Sequence, residues 1–477
     1  MSPKPNSATT WATPTSSANN PPPLNLEDKY NQMTTKPVKS LVCKMAVPTI
    51  IAMVTTALYN IVDAAFIGRL STPATAGIGI SFAYMTFIQA LGFYFGHGSG
   101  NHISRALGAK NVSSASVVAT VGFITPFLLG ALAALFFLPN LGWLSRILGA
   151  PEDVVPYAND YLRYIVLATP FMMSALTLNN QLRLQGNAQF GMVGIVSGAI
   201  LNIALDPLFI FTFDMGVSGA SLATAISQFF AWCLLLSGTF RPESVHIRLL
   251  DFKPSLKVYY EIFRGGLPSL FRQVFNCAAA VSLNYCAKLY AAPGQEASAV
   301  AAFAVVTRIM MFAFSVVLGF SQGFQPVCGY NYGAKLYGRV RESWLFATCI
   351  GTAFLLVISS AGLLFAPQIV ALFRAEDPVL IDIGAVTLRW QCAAFPLVAL
   401  FTTTGMLFQN IRFTGPATLL SVCRNGLFFL PALLLLPLWL GMTGVQMAQA
   451  VADLLSFLLC IPYAIWINRK LKNLNNC

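Results

Sequence analysis

Apolar residues run in long blocks along this chain, broken by short polar segments. Twelve blocks are long enough to span a bilayer, each near the roughly 20 residues a spanning helix needs: 46–67, 76–97, 115–138, 160–182, 189–211, 217–239, 267–289, 299–322, 343–366, 383–408, 415–439 and 443–467. Residues 1–40 hold no such block and, with a Pro triplet at 21–23 and many Ser, Thr and Asn, read as a disordered tail. The most charged stretch, 241–265, separates the sixth block from the seventh. The expected domains are a first six-helix lobe at 41–240, a linker at 241–265, a second lobe at 266–468 and a short tail at 469–477. No cleavable signal peptide is expected at the N-terminus.

The two lobes repeat each other. A shift of 225 residues carries Gly108-Ala109-Lys110 onto Gly333-Ala334-Lys335, Gly98 onto Gly323, Phe95 onto Phe320, Gly216 onto Gly441 and Gly219 onto Gly444. Six spans per copy is an even number, so both copies enter the membrane from the same side. The expected fold is an all-α polytopic membrane protein, twelve transmembrane helices in two pseudo-symmetric six-helix bundles.

Composition agrees. Of 477 residues, 56% are hydrophobic and 10% charged, too little polar surface for a water-soluble globule of this size. The net charge of +12 does not imply nucleic acid, because the Lys and Arg lie mostly in the segments between blocks. With both termini placed in the cytoplasm, inside segments carry 20 Lys and Arg and outside loops four: Arg69, Arg146, Lys288 and Arg374. This positive-inside split predicts a multi-pass inner-membrane protein with both termini cytoplasmic. Ten scattered Cys without C-x-x-C spacing, and three His, give no metal or disulfide framework. His97 and His102 are placed in a cytoplasmic loop after the Gly-rich residues 92–100.

Charge inside a span is costly, which makes the intramembrane acids informative. In the first block Thr56, Tyr59 and Asp63 share one helix face. In the fifth, Asn202 and Asp206 share a face just before Pro207, which frees a carbonyl one turn back and allows a hinge. The second lobe has Asn425 and Pro431, with Leu430 before the proline, so the acid of the first copy is absent there. Asp453 reads equally as the partner of a base such as Arg424 or as a transport residue, and Asn180, in a polar run ending the fourth block, is a candidate to join the acids. Arg163, Arg272, Arg308, Arg389 and Arg424 fall in or at the edges of spans; they either make a basic inner surface or reach back to the interface.

Several stretches resemble one family: Tyr59 to Leu70 (YNIVDAAFIGRL), Gly108 to Lys110, Leu201 to Pro207 (LNIALDP), Gly216 to Ala220 and Phe320 to Lys335 (FSQGFQPVCGYNYGAK). They are similar to the MATE (multidrug and toxic compound extrusion) exporters, and to the bacterial DinF/MepA-like branch in particular. The resemblance covers about 40–467. It implies a secondary active antiporter, not an enzyme, in which entry of a proton or sodium ion drives export of cationic amphipathic drugs by alternating access. It needs no cofactor and is expected to act as a monomer, its partners being small organic cations and the bilayer. It implies cation coupling and drug binding at Asp63, Tyr59, Asn202, Asp206 and Asn180, with Thr56 where some relatives carry Gln, and leaves a sodium ion possible at Asp63 and Asp206. Acids that some relatives carry in the seventh and tenth helices are replaced by Arg272, Asn276 and Arg389. A lipid or lipid-linked precursor flippase of the same superfamily is the alternative.

Overall fold

A computed structural model describes residues 25–67, 71–373 and 377–475. The expected outside-loop residues Arg69 and Arg374, and tail residues 1–24, lie outside these. Among the described residues the secondary structure is helical, with no strand. The first half comprises α1 (Leu26–Thr35), α2 (Val38–Ile67), α3 (Thr72–Gly108), α4 (Val112–Phe137), α5 (Leu141–Ile147), α6 (Val155–Leu184), α7 (Ala188–Pro207) and α8 (Gly216–Gly238). The second comprises α9 (Leu256–Leu289), α10 (Glu296–Gly333), α11 (Tyr337–Leu364), α12 (Ala366–Ala371), α13 (Pro378–Ala394), α14 (Val398–Asn410), α15 (Thr414–Val422), α16 (Phe429–Leu440) and α17 (Met442–Asn475).

Eleven stretches among the described residues are long and apolar enough to cross a membrane. Each overlaps one of the twelve predicted blocks over most of its length. The remaining block lies in α9, whose 34 residues give ample length. It is less apolar because Arg272, Gln273, Asn276 and Asn284 punctuate it. The molecule is therefore a multi-pass membrane protein of two six-helix bundles.

The expected tail is shorter than 40 residues. Asn25 and Asp28 form a reciprocal capping box that starts α1, and Met33 on this helix is fully buried. α2 then begins at Val38. α1 lies across both halves: Arg339 Nη2 donates to the Lys36 carbonyl at 2.6 Å, and Lys29 Nζ donates to Asn187 Oδ1. The Gly338 amide, near Arg339, binds Asn475 Oδ1 at 2.9 Å, so both described chain ends share one end of the molecule, here termed the basal end.

The internal repeat is visible in the backbone. Lys110 and Lys335 both take left-handed conformations, φ 58° and 60°, as do Gly216 and Gly441, φ 53° and 56°. A methyl group placed on Gly108 would lie 2.1 Å from the Tyr330 carbonyl oxygen, and one on Gly333 would lie 2.1 Å from that of Arg105. Adding 225 to 105 and 108 gives 330 and 333, so the two contacts are images of each other. A pseudo-twofold axis passes between the ends of α3 and α10, where only a residue without Cβ permits the approach.

His97 and His102 lie within a helix, correcting the cytoplasmic loop expected for them after the Gly-rich residues 92–100. α3 continues to Gly108, and His97 is fully buried within it. The glycines keep the helix because they let neighbours close on it: Gly96 abuts Asn180, Gly98 the Ile262 carbonyl and Gly100 Leu184.

Candidate functional site

Asp63 is near the end of α2, Asp206 near the end of α7 and Tyr161 near the start of α6. Packing of α2 on α7 and of α6 on α8 brings these ends together away from the basal end. The carboxyl groups of Asp63 and Asp206 lie in hydrogen-bonding range of each other, with the Tyr59 and Tyr161 hydroxyls as close electrostatic neighbours. Asp206 is fully buried. Asn202 Nδ2 donates to Asp206 Oδ1 at 3.2 Å and approaches Thr224 Oγ1 on α8 at 3.4 Å. Asp206 Oδ2 and Asn202 Oδ1 are buried and receive no donor from the described residues.

Two carboxyl groups can bond to each other only when one carries a proton, because an ionised carboxylate is acceptor-only. No Lys, Arg or His forms an ion pair with either acid among the described residues. The site therefore has the chemistry to hold a proton or a small cation. Pro207 sits where α-helix gives way to a π-helical turn, Leu208–Thr212. A π-turn beside proline is a recognised source of helix bending. The second half has its own π-turn, Cys423–Phe428, but it precedes Pro431 instead of following it, and no acid accompanies it.

Of the residues singled out in the sequence, Tyr59, Asp63, Asn202 and Asp206 come together. Thr56 lies on the same α2 face, its hydroxyl bonded back to the Ala52 carbonyl at 2.8 Å. Asn180 does not join them. It is nineteen residues beyond Tyr161 on α6, about 28 Å at 1.5 Å per residue. Its Oδ1 instead accepts from Arg183 Nη2 at 2.7 Å. Tyr161 and Thr224 were not signalled by the sequence, since both stand on spans with no spacing relation to the acids. Asp453 pairs with Arg424, Nε to Oδ1 at 2.8 Å, in line with the ion-pair reading of that acid. The five intramembrane arginines divide: Arg163, Arg308 and Arg389 are exposed, while Arg272 and Arg424 line a crevice.

A second polar group closes the basal end. Arg183, 3% exposed, donates across the halves to the Gln322 carbonyl at 2.7 Å and to Gln325 Oε1 at 2.9 Å, and approaches His97 Nε2 at 3.3 Å. Asn410 Nδ2 lies 3.3 Å from Asn101 Oδ1, and Arg105 donates to the Asn410 carbonyl. Glu261 receives His102 at 3.4 Å and Arg412 as well, and these partners hold its carboxyl below the usual range despite partial burial, His102 contributing most. The halves are thus held shut at the basal end.

The MatE family pattern matches residues 48–208 and 278–434, one stretch in each half. The chain is 27% identical over 431 residues to the "Multidrug export protein MepA" of Staphylococcus aureus (strain N315), covering 87% of this chain and 91% of the relative. It is 26% identical over 431 residues to the protein of that description in Staphylococcus haemolyticus (strain JCSC1435), covering 90% and 92%. Among solved structures, the "Outward-facing conformation of a multidrug resistance MATE family transporter of the MOP superfamily" superposes with TM-score 0.86 at 27% identity, covering 93% of this chain and 98% of the other. The "Crystal structure of MATE in complex with MaL6" gives 0.86 at 26% identity, with 93% and 99% covered. With both halves matched by the family pattern and the whole fold shared with its solved members, this chain belongs to the MatE family of membrane transporters.

Proposed function

We propose that this protein is a cation-coupled exporter of cationic amphipathic drugs, working by alternating access in the cytoplasmic membrane with both termini inside. The observation that carries this reading is the Asp63–Asp206 pair: two acids in one half, in contact, with no basic partner among the described residues and no counterpart in the repeat. In the ionised state the pair favours an organic cation; a proton or sodium ion arriving from outside replaces the drug. The ion moves the equilibrium only through its different affinity for the two conformations. The α7 turn at Pro207 is the element that such neutralisation would bias, because it carries Asp206 directly. Closure at the basal end, with cytoplasmic termini, makes the present conformation outward-facing, in keeping with the outward-facing relative. The exporter acts as a monomer, each chain holding both halves of the pathway.

The test is ethidium efflux from cells, or uptake into everted vesicles, under an imposed proton gradient and separately a sodium gradient. Wild type should move dye under one of them. Asp206→Asn should lose most of that flux while keeping expression. Wild-type flux from Asp206→Asn would remove the coupling role. No dye movement by wild type under either gradient would defeat the reading.

A further inference from the structure

The second half holds a crevice between α9, α10, α14 and α15 with about 510 Å³ of empty space, counting its open mouth. Its apolar wall includes Phe314, Leu318, Phe401 and Met406, and two arginines, Arg272 and Arg424, enter it.

The two differ in their partners. Arg424 is neutralised: Asp453 takes its Nε at 2.8 Å and its Nη2 at 3.4 Å, and Gln449 further fixes that carboxylate at 2.9 Å. The Arg424 guanidinium also lies 4.9 Å from the centre of the Phe314 ring. Arg272 has no carboxylate among the described residues. Its one hydrogen bond there is to Ser269, on its own helix, at a long 3.4 Å. That serine oxygen already accepts from Gln409 Nε2 at 2.8 Å. Across the halves the charge of Arg272 acts on Arg183, another cation, and on His97 beside it.

An unpaired guanidinium within a membrane bundle, among cations and aromatic rings, calls for an anion from outside the chain. Its planar fork matches a carboxylate in two parallel bonds, and the adjoining rings suit an aromatic body. We infer that the second-half crevice is a binding subsite for an amphipathic organic anion, an aromatic carboxylate held by Arg272 against Phe314 and Phe401. Together with the acid pair in the first half, it gives the exporter one pole for each sign of charge. Its accepted substrates then extend from cations to aromatic acids and zwitterions. The inference rests on the exporter reading only in taking the occupant to be a small transported molecule.

The experiment uses full-length protein in lipid-free dodecyl maltoside micelles, with fluorescence anisotropy of fluorescein, an aromatic carboxylate, and of rhodamine 6G, a cation. Wild type should bind fluorescein, and 2-naphthoate should displace it. Arg272→Gln should weaken fluorescein at least tenfold and leave rhodamine 6G within twofold; Arg272→Lys, keeping charge without the fork, should fall between. Asp206→Asn should weaken rhodamine 6G and spare fluorescein. Should Arg272→Gln fail to elute as a single species, Arg272→Lys carries the comparison. Equal fluorescein affinity in wild type and the Arg272 variants overturns the inference, as does absence of binding to wild type. Displacement by phosphatidylglycerol but not by 2-naphthoate also overturns it, assigning the arginine to a lipid phosphate. Failure of rhodamine 6G to bind wild type counts against the cation-export reading and leaves the anion subsite standing.

Discussion

At the residue scale, the acid pair shows how a few polar contacts define a site in an apolar protein. Asp206 depends on one side-chain amide, Asn202, which also approaches Thr224 on the next helix. Removing a donor to a buried charged group costs about 1.5–3 kcal/mol. Asn202→Ala should therefore slow drug efflux on the order of tenfold or more. Thr56→Ala should stay near wild type, because the Thr56 hydroxyl spends its hydrogen on its own helix at Ala52. Initial efflux rates normalised to protein in the membrane would decide between them. Comparable losses in both variants would mean that the whole polar face of α2 acts as one unit.

At the element scale, α1 is the least expected feature. Its polar composition reads as tail, yet it buries Lys29 and Met33 against the basal end. Burial lowers the Lys29 ammonium from its usual 10.5 to about 8, Lys44 adding repulsion and Glu243 opposing the shift. Docked α1 thus releases a proton at lower pH than free α1 does. The undocked form binds more protons between about pH 8 and 10.5, so docking tightens as pH rises through that window. A spin label at Asn31→Cys, on the exposed side of α1, should show a falling mobile fraction between pH 7.5 and 9.5. Adding Lys29→Met should flatten that response. An unchanged pH response in the Lys29→Met background would assign it to another group.

At the scale of the whole molecule, the pseudo-twofold contact decides how the halves can move. Gly108 on Tyr330 and Gly333 on Arg105 bring the ends of α3 and α10 together, and Asn101, Arg183, Gln325 and Asn410 tie them with hydrogen bonds. The proposed alternating access would require this joint to open. With exposed Cys43, Cys233 and Cys349 changed to Ser, the pair Asn101→Cys and Asn410→Cys should cross-link under oxidation. The cross-linked protein should lose efflux, and dithiothreitol should restore it. Full efflux from a quantitatively cross-linked sample would mean that the basal end stays shut throughout transport.

What could be read directly from the chain follows from its solvent. A bilayer admits only long apolar helices, so span number, the repeat, and the two acids with their helix faces are written in local sequence. The 225-residue offset pairs Lys110 with Lys335, and both take left-handed backbone in the structure. Contacts between distant segments were not legible. Nothing in spacing ties Tyr161 to Asp63, sends Asn180 to Arg183 at the opposite end, or carries the second span on through His102 to Gly108. Those outcomes depend on which helices abut, and at Gly96, Gly98 and Gly100 on how closely. The sequence by itself determined a twelve-span, two-lobed transporter with its acids in one lobe. Tertiary structure alone decided that Asp63 meets Asp206, that Arg424 is neutralised by Asp453, and that Arg272 has no carboxylate partner among the described residues. The reason is physical: the cost of an intramembrane charge is set by what stands within a few ångströms of it, and only packing brings residues from separate helices to that distance.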